Sequence, residues 1–335
     1  MTKIIDVAKK AGVAKSTVSN VLSGKKLVSE ELKERVLKAC KELDYVPNFY
    51  ASSLSTGKHK SNIIAILLEK KENMEDHAFY GELVISALSK ASKKGYSILL
   101  LTNEDGDDLV KNLRYGKAPI DGAILLAPNI DDSRLKEIQN NSIECVIIGR
   151  PSKGIHYDYI DVDNYNLTRE VTDMLLKLYD EVYLLNASST LTIVQDRKEG
   201  FFDACDEKNV EHLNNYITDL EGTFEEGYKI GLEKANKNVA FITCNSFLAA
   251  GLYKAINEKK LKVGEDVGVF ALGKSQTDFQ FTPKLSYAKQ DYKLIGNKAV
   301  EMLINKLQSK DVMHCVLIKS RLRIHSSIRK NQTKI

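Results

Sequence analysis

Five residues near the amino terminus combine one cation with short hydrogen-bonding side chains: Lys15, Ser16, Thr17, Ser19 and Asn20. Side chains of this kind can donate to and accept from base edges in a major groove, and a lysine can contact phosphate. The same five residues would also suit the solvent face of an ordinary helix. The elements around them therefore decide what chemistry they can perform.

Two apolar stripes flank this segment and predict two short helices. The stripes are formed by Ile4, Val7 and Ala8 and by Val18, Val21 and Leu22. Gly12 lies between them, and glycine permits the backbone of a tight turn. This spacing predicts a helix-turn-helix in which the polar residues of the second helix point outwards.

A third helix is predicted from the segment SEELKERVLKACKEL. Ser29 can cap its amino terminus, and Glu30 and Glu31 favour the positive end of the helix dipole. One face of this helix is apolar and would close a small core over the first two helices. That face is formed by Leu32, Val36, Ala39, Cys40 and Leu43.

Positive charge is concentrated at the same end of the chain. The first 60 residues contain 12 Lys and Arg against 6 Asp and Glu, whereas the remainder contains 37 against 39. A compact cationic domain is the electrostatic footprint of a polyanion binder. The sequence shows neither the apolar core of a signal peptide nor a run of roughly 18 apolar residues. We therefore expect a cytoplasmic protein.

The sequence offers no motif for metal, cofactor or enzyme chemistry. The GxSxG, P-loop and GxGxxG motifs are absent, and no cysteine pair has CxxC spacing. We predict no enzyme, no cofactor and no metal site. The six histidines, which lack metal-binding spacing, are His59, His77, His156, His212, His314 and His325. The five cysteines, predicted to be reduced core residues, are Cys40, Cys145, Cys205, Cys244 and Cys315.

The segment DYVPNFYASSLSTGK resembles the hinge of the lactose-repressor (LacI/GalR) family of transcription regulators. The matching residues are Tyr45, Pro47, Asn48, Ala51 and Leu54. The motifs DVAKKAGV, STVS, VSE and YVPN occur in the family's order and spacing, which is highly specific. The resemblance extends more weakly along the rest of the chain.

The resemblance implies that Tyr45, Asn48, Ala51 and Leu54 join the recognition helix in binding DNA. It also implies that the hinge becomes helical on the operator, where Leu54 from each subunit wedges into the minor groove and kinks it.

Three positions depart from the family pattern. Ala14, Asn20 and Ser52 replace a usual Ser, Arg and Arg. The loss of those side chains predicts fewer contacts to DNA and an atypical operator. Ala14 also removes a helix cap, at a cost of about 1 kcal/mol.

Beyond the hinge, apolar strand patterns alternate with helical ones. NIIAILLE, YSILLLT, DGAILLAP and ECVIIGR form a first series, and EVYLLNA, YITDL, VAFITCN and VGVFALG form a second. Such alternation predicts parallel sheets with right-handed crossovers. The fold class is therefore an all-α helix-turn-helix headpiece followed by an α/β periplasmic-binding-protein-like domain of two Rossmann-like lobes.

We predict three domains along the chain. A DNA-binding domain spans 1–45, a hinge helix and linker span 46–60, and a two-lobed effector-binding and dimerisation domain spans 61–335. Its amino-terminal lobe takes about 61–160 and 291–320, and its carboxyl-terminal lobe about 161–290 and 321–335. Gln290 and Asp291 are expected at a crossing between the lobes.

The resemblance also implies an effector site between the lobes. Arg197 in QDRKEGF matches the arginine that usually holds the effector, Asn245 in ITCNS matches the start of an Asn-Asp pair, and Phe79 would come from the first lobe. In open α/β sheets ligands bind outside the carboxyl ends of strands, which supports this placement.

Two acidic family positions are changed in this sequence. Ser246 replaces an aspartate, and Leu272, Gly273 and Lys274 replace Phe-Asp-Asp. Carboxylates accept hydrogen bonds from sugar hydroxyls, whereas Arg197 with Lys274 would better suit phosphate or carboxylate. The hypothesis is an anionic effector such as a sugar phosphate. The alternative is that Lys274 faces solvent and the pocket has decayed.

The segment HYDYIDVDNY resembles a ligand patch, yet its alternation also fits a strand followed by a helix. We favour the strand, with Asn164 capping the next helix and Asp163 near the cleft.

We predict a homodimeric repressor of carbohydrate uptake or metabolism genes. It would bind an operator in double-stranded DNA and be gated by a sugar or sugar phosphate, without membrane association. The alternatives are a DNA reader fused to an enzyme or a plain ligand-binding module, and a regulator controlled by a protein partner.

Overall fold

A computed structural model describes residues 2–23, 28–45, 61–68, 78–102, 120–211, 215–273, 281–309 and 314–330. The chain forms two compact units, Met1–Ser61 and Asn62–Ile335.

The first unit contains three helices around one small core. They are α1 (Ile4–Ala11), α2 (Lys15–Ser23) and α3 (Glu30–Glu42). Both predicted stripes meet in this core, where Val7, Val18 and Val36 are fully buried. Gly12 adopts a left-handed conformation with φ 63°, as the tight turn between α1 and α2 requires. The predicted helix-turn-helix and its third helix are therefore confirmed.

The predicted cap of α3 is wrong in its detail. Ser29 is the residue before α3, but its side chain makes no capping hydrogen bond to the helix. Its carbonyl oxygen instead accepts the N–H of Lys33 at 3.0 Å. Glu30 and Glu31 lie in the first turn, where their negative charge is attracted to the positive end of the helix dipole and stabilises the helix.

The second unit is built on two six-stranded sheets. The first sheet has the order β11-β5-β4-β3-β1-β2 and is parallel throughout. Its strands are β1 (Ile63–Leu68), β2 (Ser97–Thr102), β3 (Gly122–Leu126), β4 (Glu144–Ile148), β5 (Asp158–Val162) and β11 (Cys315–Ile318). We call this sheet and the helices packed on it the first lobe.

The second sheet has the order β12-β10-β9-β8-β6-β7, and only its edge strand β12 is antiparallel. Its strands are β6 (Glu181–Leu185), β7 (Tyr216–Ile217), β8 (Val239–Thr243), β9 (Val267–Ala271), β10 (Ser286–Lys289) and β12 (Arg321–Arg323). With its helices it forms the second lobe. The chain passes between the lobes after β5, after β10 and after β11.

Seven helices of the described chain cover these sheets. They are α4 (Ala78–Lys93), α5 (Ser133–Asn140), α6 (Asn164–Leu176), α7 (Thr192–Asp206), α8 (Phe224–Lys234), α9 (Ser246–Glu258) and α10 (Tyr292–Leu307). Central strands such as β3, β8 and β9 are buried along their whole length, which requires cover on both faces. The predicted alternation of strands and helices is confirmed.

Two smaller predictions are wrong. Asp163, not Asn164, caps α6, since its carboxylate accepts the N–H of Asn166 at 3.1 Å while Asn164 is the first helical residue. Cys315 is exposed on the edge strand β11 and is not a core residue. The other cysteines are buried or half-buried, and all five are free thiols.

Candidate functional site

The polar face of α2 is the candidate DNA-contacting surface. Lys15, Ser16 and Ser19 are exposed, while Thr17 and Asn20 are half-buried. Val18 lies on the opposite face and is fully buried. The helix thus presents short hydrogen-bonding groups and one cation to solvent, and it carries no acidic residue that would repel phosphate.

The side chain of Ala14, the residue before α2, cannot cap the start of this helix. Ala14 has no side-chain oxygen, and its carbonyl accepts the N–H groups of Thr17 at 2.9 Å and Val18 at 3.3 Å. The first N–H groups of a helix have no partner within the helix, and such groups commonly bind phosphate oxygens.

Two contacts join α1 and α3, the helices against which α2 packs. The Arg35 guanidinium on α3 donates at 2.7 Å to the carbonyl of Ala11, the last residue of α1. Lys10 and Glu42 form an ion pair at 2.9 Å between the same two helices. Both contacts hold α1 against α3 in the core on which α2 packs.

Most of the predicted hinge contacts fall outside the described residues: Asn48, Ala51 and Leu54. Tyr45 is described, and it packs against the core of the first unit while its N–H donates at 2.9 Å to the carbonyl of Cys40.

A second candidate site lies where the two lobes meet. Arg197 on α7 is buried, and its Nε has no hydrogen-bond partner among the described residues. Burial lowers the pKa of its guanidinium, although Cys244, Tyr292 and nearby carboxylates favour the charged form. Arginine stays protonated in proteins, so this is a buried cation with an unused donor.

Asp161 faces Arg197 from the end of β5. Burial raises the pKa of its carboxyl to about 7, although the N–H of Val162 donates to it at 2.7 Å and Arg197 favours its charged form. Asn164 adds a long hydrogen bond of 3.4 Å to the other carboxylate oxygen.

An ion pair joins the lobes beside these residues. Arg150, which follows β4, approaches Asp196 on α7 with 3.3 Å between Nη1 and Oδ1. Burial raises the pKa of Asp196, and this effect outweighs the opposing attraction of Arg150. Burial also disfavours the charge on Arg150, but Asp196 and its neighbours raise the pKa of that guanidinium overall.

Backbone contacts also bridge the lobes. The carbonyl of Pro128, after β3, accepts the N–H and the hydroxyl of Thr192, each at 3.2 Å. The N–H of Ile130 donates to Thr190 at 2.8 Å, and Asn129 pairs with Leu191 as an antiparallel bridge. These contacts are hydrogen bonds between neutral groups.

Of the remaining predicted effector residues, the structure describes the side chain of Asn245 but not those of Phe79 and Lys274. Asn245 caps α9, with its Oδ1 accepting the N–H of Leu248 at 3.0 Å and its Nδ2 donating to Gly222 at 2.8 Å. Phe79 lies on α4, but its side chain is outside the described part, as is all of Lys274. Gln290, at the crossing into α10, donates to the Leu272 carbonyl at 2.9 Å.

Sequence reasoning missed Arg150, Asp161 and Asp196. Arg150 and Asp161 lie at the carboxyl ends of strands, where open α/β sheets place ligands, and this position was an available signal. Asp196 precedes the family-like Arg197 directly, but only the packing of the lobes shows that it faces Arg150.

Within the described residues, no group of three or more His, Cys, Asp or Glu side chains could hold a metal ion. No helix in that part of the chain is long and apolar enough to cross a membrane.

The fold and these two sites define a class: a helix-turn-helix DNA reader joined to a two-lobed α/β ligand-binding module. Residues 3–48 match the family model "Bacterial regulatory proteins, lacI family", and residues 179–328 match the "Periplasmic binding protein-like domain".

Two relatives that match nearly the whole length of this chain are named as transcriptional regulators. The transcriptional repressor PurR of Mannheimia succiniciproducens is 28% identical over 98% of this chain and 99% of its own length. The regulator RegA of Clostridium saccharobutylicum is 28% identical over 93% and 94%.

The fold agrees with a solved structure of the lac repressor dimer bound to operator and the anti-inducer ONPF. That structure has a TM-score of 0.85 at 22% identity, covering 98% of this chain and 99% of the other. The chain therefore combines a lacI-family DNA-binding domain with a periplasmic-binding-protein-like domain, and it is a DNA-binding transcriptional regulator.

Proposed function

We propose that the protein is a homodimeric repressor whose operator binding is gated by an anionic effector between the lobes. The observation that carries the DNA-binding part is the outward polar face of α2 on a buried three-helix core. Lys15, Ser16, Thr17, Ser19 and Asn20 would contact the major groove, with Tyr45, Asn48, Ala51 and Leu54 adding hinge contacts. The names of the PurR relatives support repression.

An exposed apolar surface supports dimerisation through the first lobe. Ile85 and Leu88 lie one turn apart on α4 and are 68% and 48% exposed. Leu100 is 49% exposed on the edge strand β2, against which α4 packs. Grouped exposed apolar residues mark interaction surfaces. A symmetric dimer through this surface would place two DNA readers at a fixed spacing.

Arg197 supports an anionic effector. A buried guanidinium with an unused Nε donor is costly until an acceptor reaches it, and a phosphate or carboxylate would supply charge and acceptor together. Lys274, which follows β9 in the sequence, would add a second cation. The solved relative CelR is described in complex with cellobiose, which supports a carbohydrate-derived ligand and carbohydrate-related target genes.

Isothermal titration of the full-length protein tests the effector class. We expect phosphorylated sugars to bind at least about tenfold more tightly than the matching neutral sugars, since a charge-assisted contact to Arg197 is lost with the latter. Arg197→Gln should abolish this preference. Tighter binding of the neutral sugars would contradict the proposal.

A regulator controlled by a protein partner is the alternative to one gated by a small effector. If none of the sugars or sugar phosphates binds, this candidate takes precedence.

A further inference from the structure

Four charged residues meet where the lobes face each other, two from each lobe. The first lobe contributes Arg150 and Asp161, and the second contributes Asp196 and Arg197. We call them the interlobe quartet. Arg150 and Asp196 are in contact at 3.3 Å, while Arg197 interacts electrostatically with both carboxylates.

The two arginines of the quartet differ in how they are satisfied. The guanidinium of Arg150 is paired with the carboxylate of Asp196, and the Arg150 side chain is 41% exposed. Arg197 is buried and retains an Nε without a partner among the described residues. An anion that enters between the lobes would therefore find one unused donor on Arg197 and one guanidinium already occupied by Asp196.

We propose that Asp196 is a built-in competitor that occupies Arg150 until an anionic effector displaces it. This inference rests on the proposed function, because it concerns the same site. The carboxylate of Asp196 is only 14% exposed, so its attraction to Arg150 is screened less by solvent and salt than that of a fully exposed pair.

Only a negatively charged ligand can displace the Asp196 carboxylate from Arg150. A neutral polyol cannot replace a carboxylate on a guanidinium, whereas a phosphate monoester carries two negative charges and several acceptors and can engage Arg150 and Arg197 together. The ligand class is thus a compact dianion, with a phosphate monoester as the group recognised.

Contacts other than the displaced ion pair also join the lobes. The backbone bridge of Pro128 and Ile130 with Thr192 and Thr190 joins the lobes through neutral groups. Displacement of Asp196 therefore frees Arg150 without separating the lobes.

The chain offers a matched control for the test. Glu199 lies one turn after Asp196 on α7 and also pairs across the lobes, with Lys153 at 3.7 Å. That pair is open to solvent, with side chains 54% and 90% exposed. Glu199→Gln removes the same charge from the same helix as Asp196→Asn but leaves Arg150 occupied.

The experiment titrates inorganic phosphate into full-length wild type, Asp196→Asn, Asp196→Ser, Arg197→Gln and Glu199→Gln at constant ionic strength. We expect both Asp196 variants to bind phosphate about tenfold more tightly than wild type, with Glu199→Gln unchanged. Arg150→Gln added to Asp196→Asn should cancel the gain.

Two different failures can be told apart. If wild type binds phosphate through Arg197 but the Asp196 variants bind it no more tightly, the competitor role is overturned and the anionic effector stands. If no variant binds phosphate and Arg197→Gln changes nothing, both proposals are overturned. An equal gain in Glu199→Gln would reduce the effect to general electrostatics and also overturn the competitor role.

Discussion

At the residue scale, the interlobe site depends on charges that burial makes unusual. The motif around Arg197 predicts an effector contact, but its burial and unused Nε follow from the packing of α7 and could not be predicted from sequence. In the sequence, Asp161 is one of several polar residues in a segment whose alternation predicts a strand. Its carboxyl is buried because residues of both lobes pack around it in the folded protein.

The titration of Asp161 gives a pH-dependent stability. The folded pKa of about 7 lies above the ordinary value of 3.8, so between these pH values the folded state retains a proton that the unfolded state loses. The free energy of unfolding should therefore fall as pH rises from about 4 to 7, and the full cost should persist above 7. Asp161→Asn should remove this fall and stabilise the protein at pH 8 by on the order of 2–4 kcal/mol.

Urea unfolding of full-length protein at pH 5 and pH 8 measures this effect. Asp158→Asn is the control, because Asp158 is buried in the same strand but pairs with Lys306 at 2.7 Å. That variant should lose stability at both pH values. Equal pH dependence in wild type and Asp161→Asn would contradict the account.

At the element scale, periodicity predicted where helices and strands exist but not how they begin. The apolar stripes of α1 to α3 and the runs in β1 and β8 follow directly from which side chains must be buried. Capping depends on the backbone of a single residue. Asp163 and Asn164 are both good caps by type, and only the observed backbone assigns the cap to Asp163.

The start of α2, which the side chain of Ala14 cannot cap, gives a testable consequence. In Ala14→Ser the new hydroxyl can accept a backbone N–H of the first turn, and such a cap is worth about 1 kcal/mol. Amide hydrogen exchange in α2, followed by mass spectrometry on the full chain, should slow about fivefold. Ala14→Val lacks an acceptor and should not slow it. Indistinguishable exchange in the two variants would rule out a capping effect.

At the scale of the whole molecule, strand alternation predicted the two α/β lobes, because each apolar strand needs helices on both faces. The backbone bridge between Asn129 and Leu191 could not be predicted, since neither residue belongs to a periodic element. The hinge residues Asn48, Ala51 and Leu54 remain predictions.

The exposed surface on α4 predicts the oligomeric state. Ile85→Glu places a charge in the proposed dimer interface and should convert the protein to a monomer in sedimentation velocity at micromolar concentration. Leu317→Glu is the matched control, since Leu317 is exposed on β11 at the opposite edge of the same sheet. A dimer that survives Ile85→Glu would place the interface elsewhere.

The most direct measurement for the account as a whole is operator selection from random DNA duplexes with the purified full-length protein at fixed salt. It is repeated with pools of sugars and of sugar phosphates and with the variant Ser16→Ala/Thr17→Ala. We expect a palindromic site that is gained or lost with the sugar phosphate pool, and a weakened or altered base preference in the variant. Failure to enrich any site in every pool would contradict it.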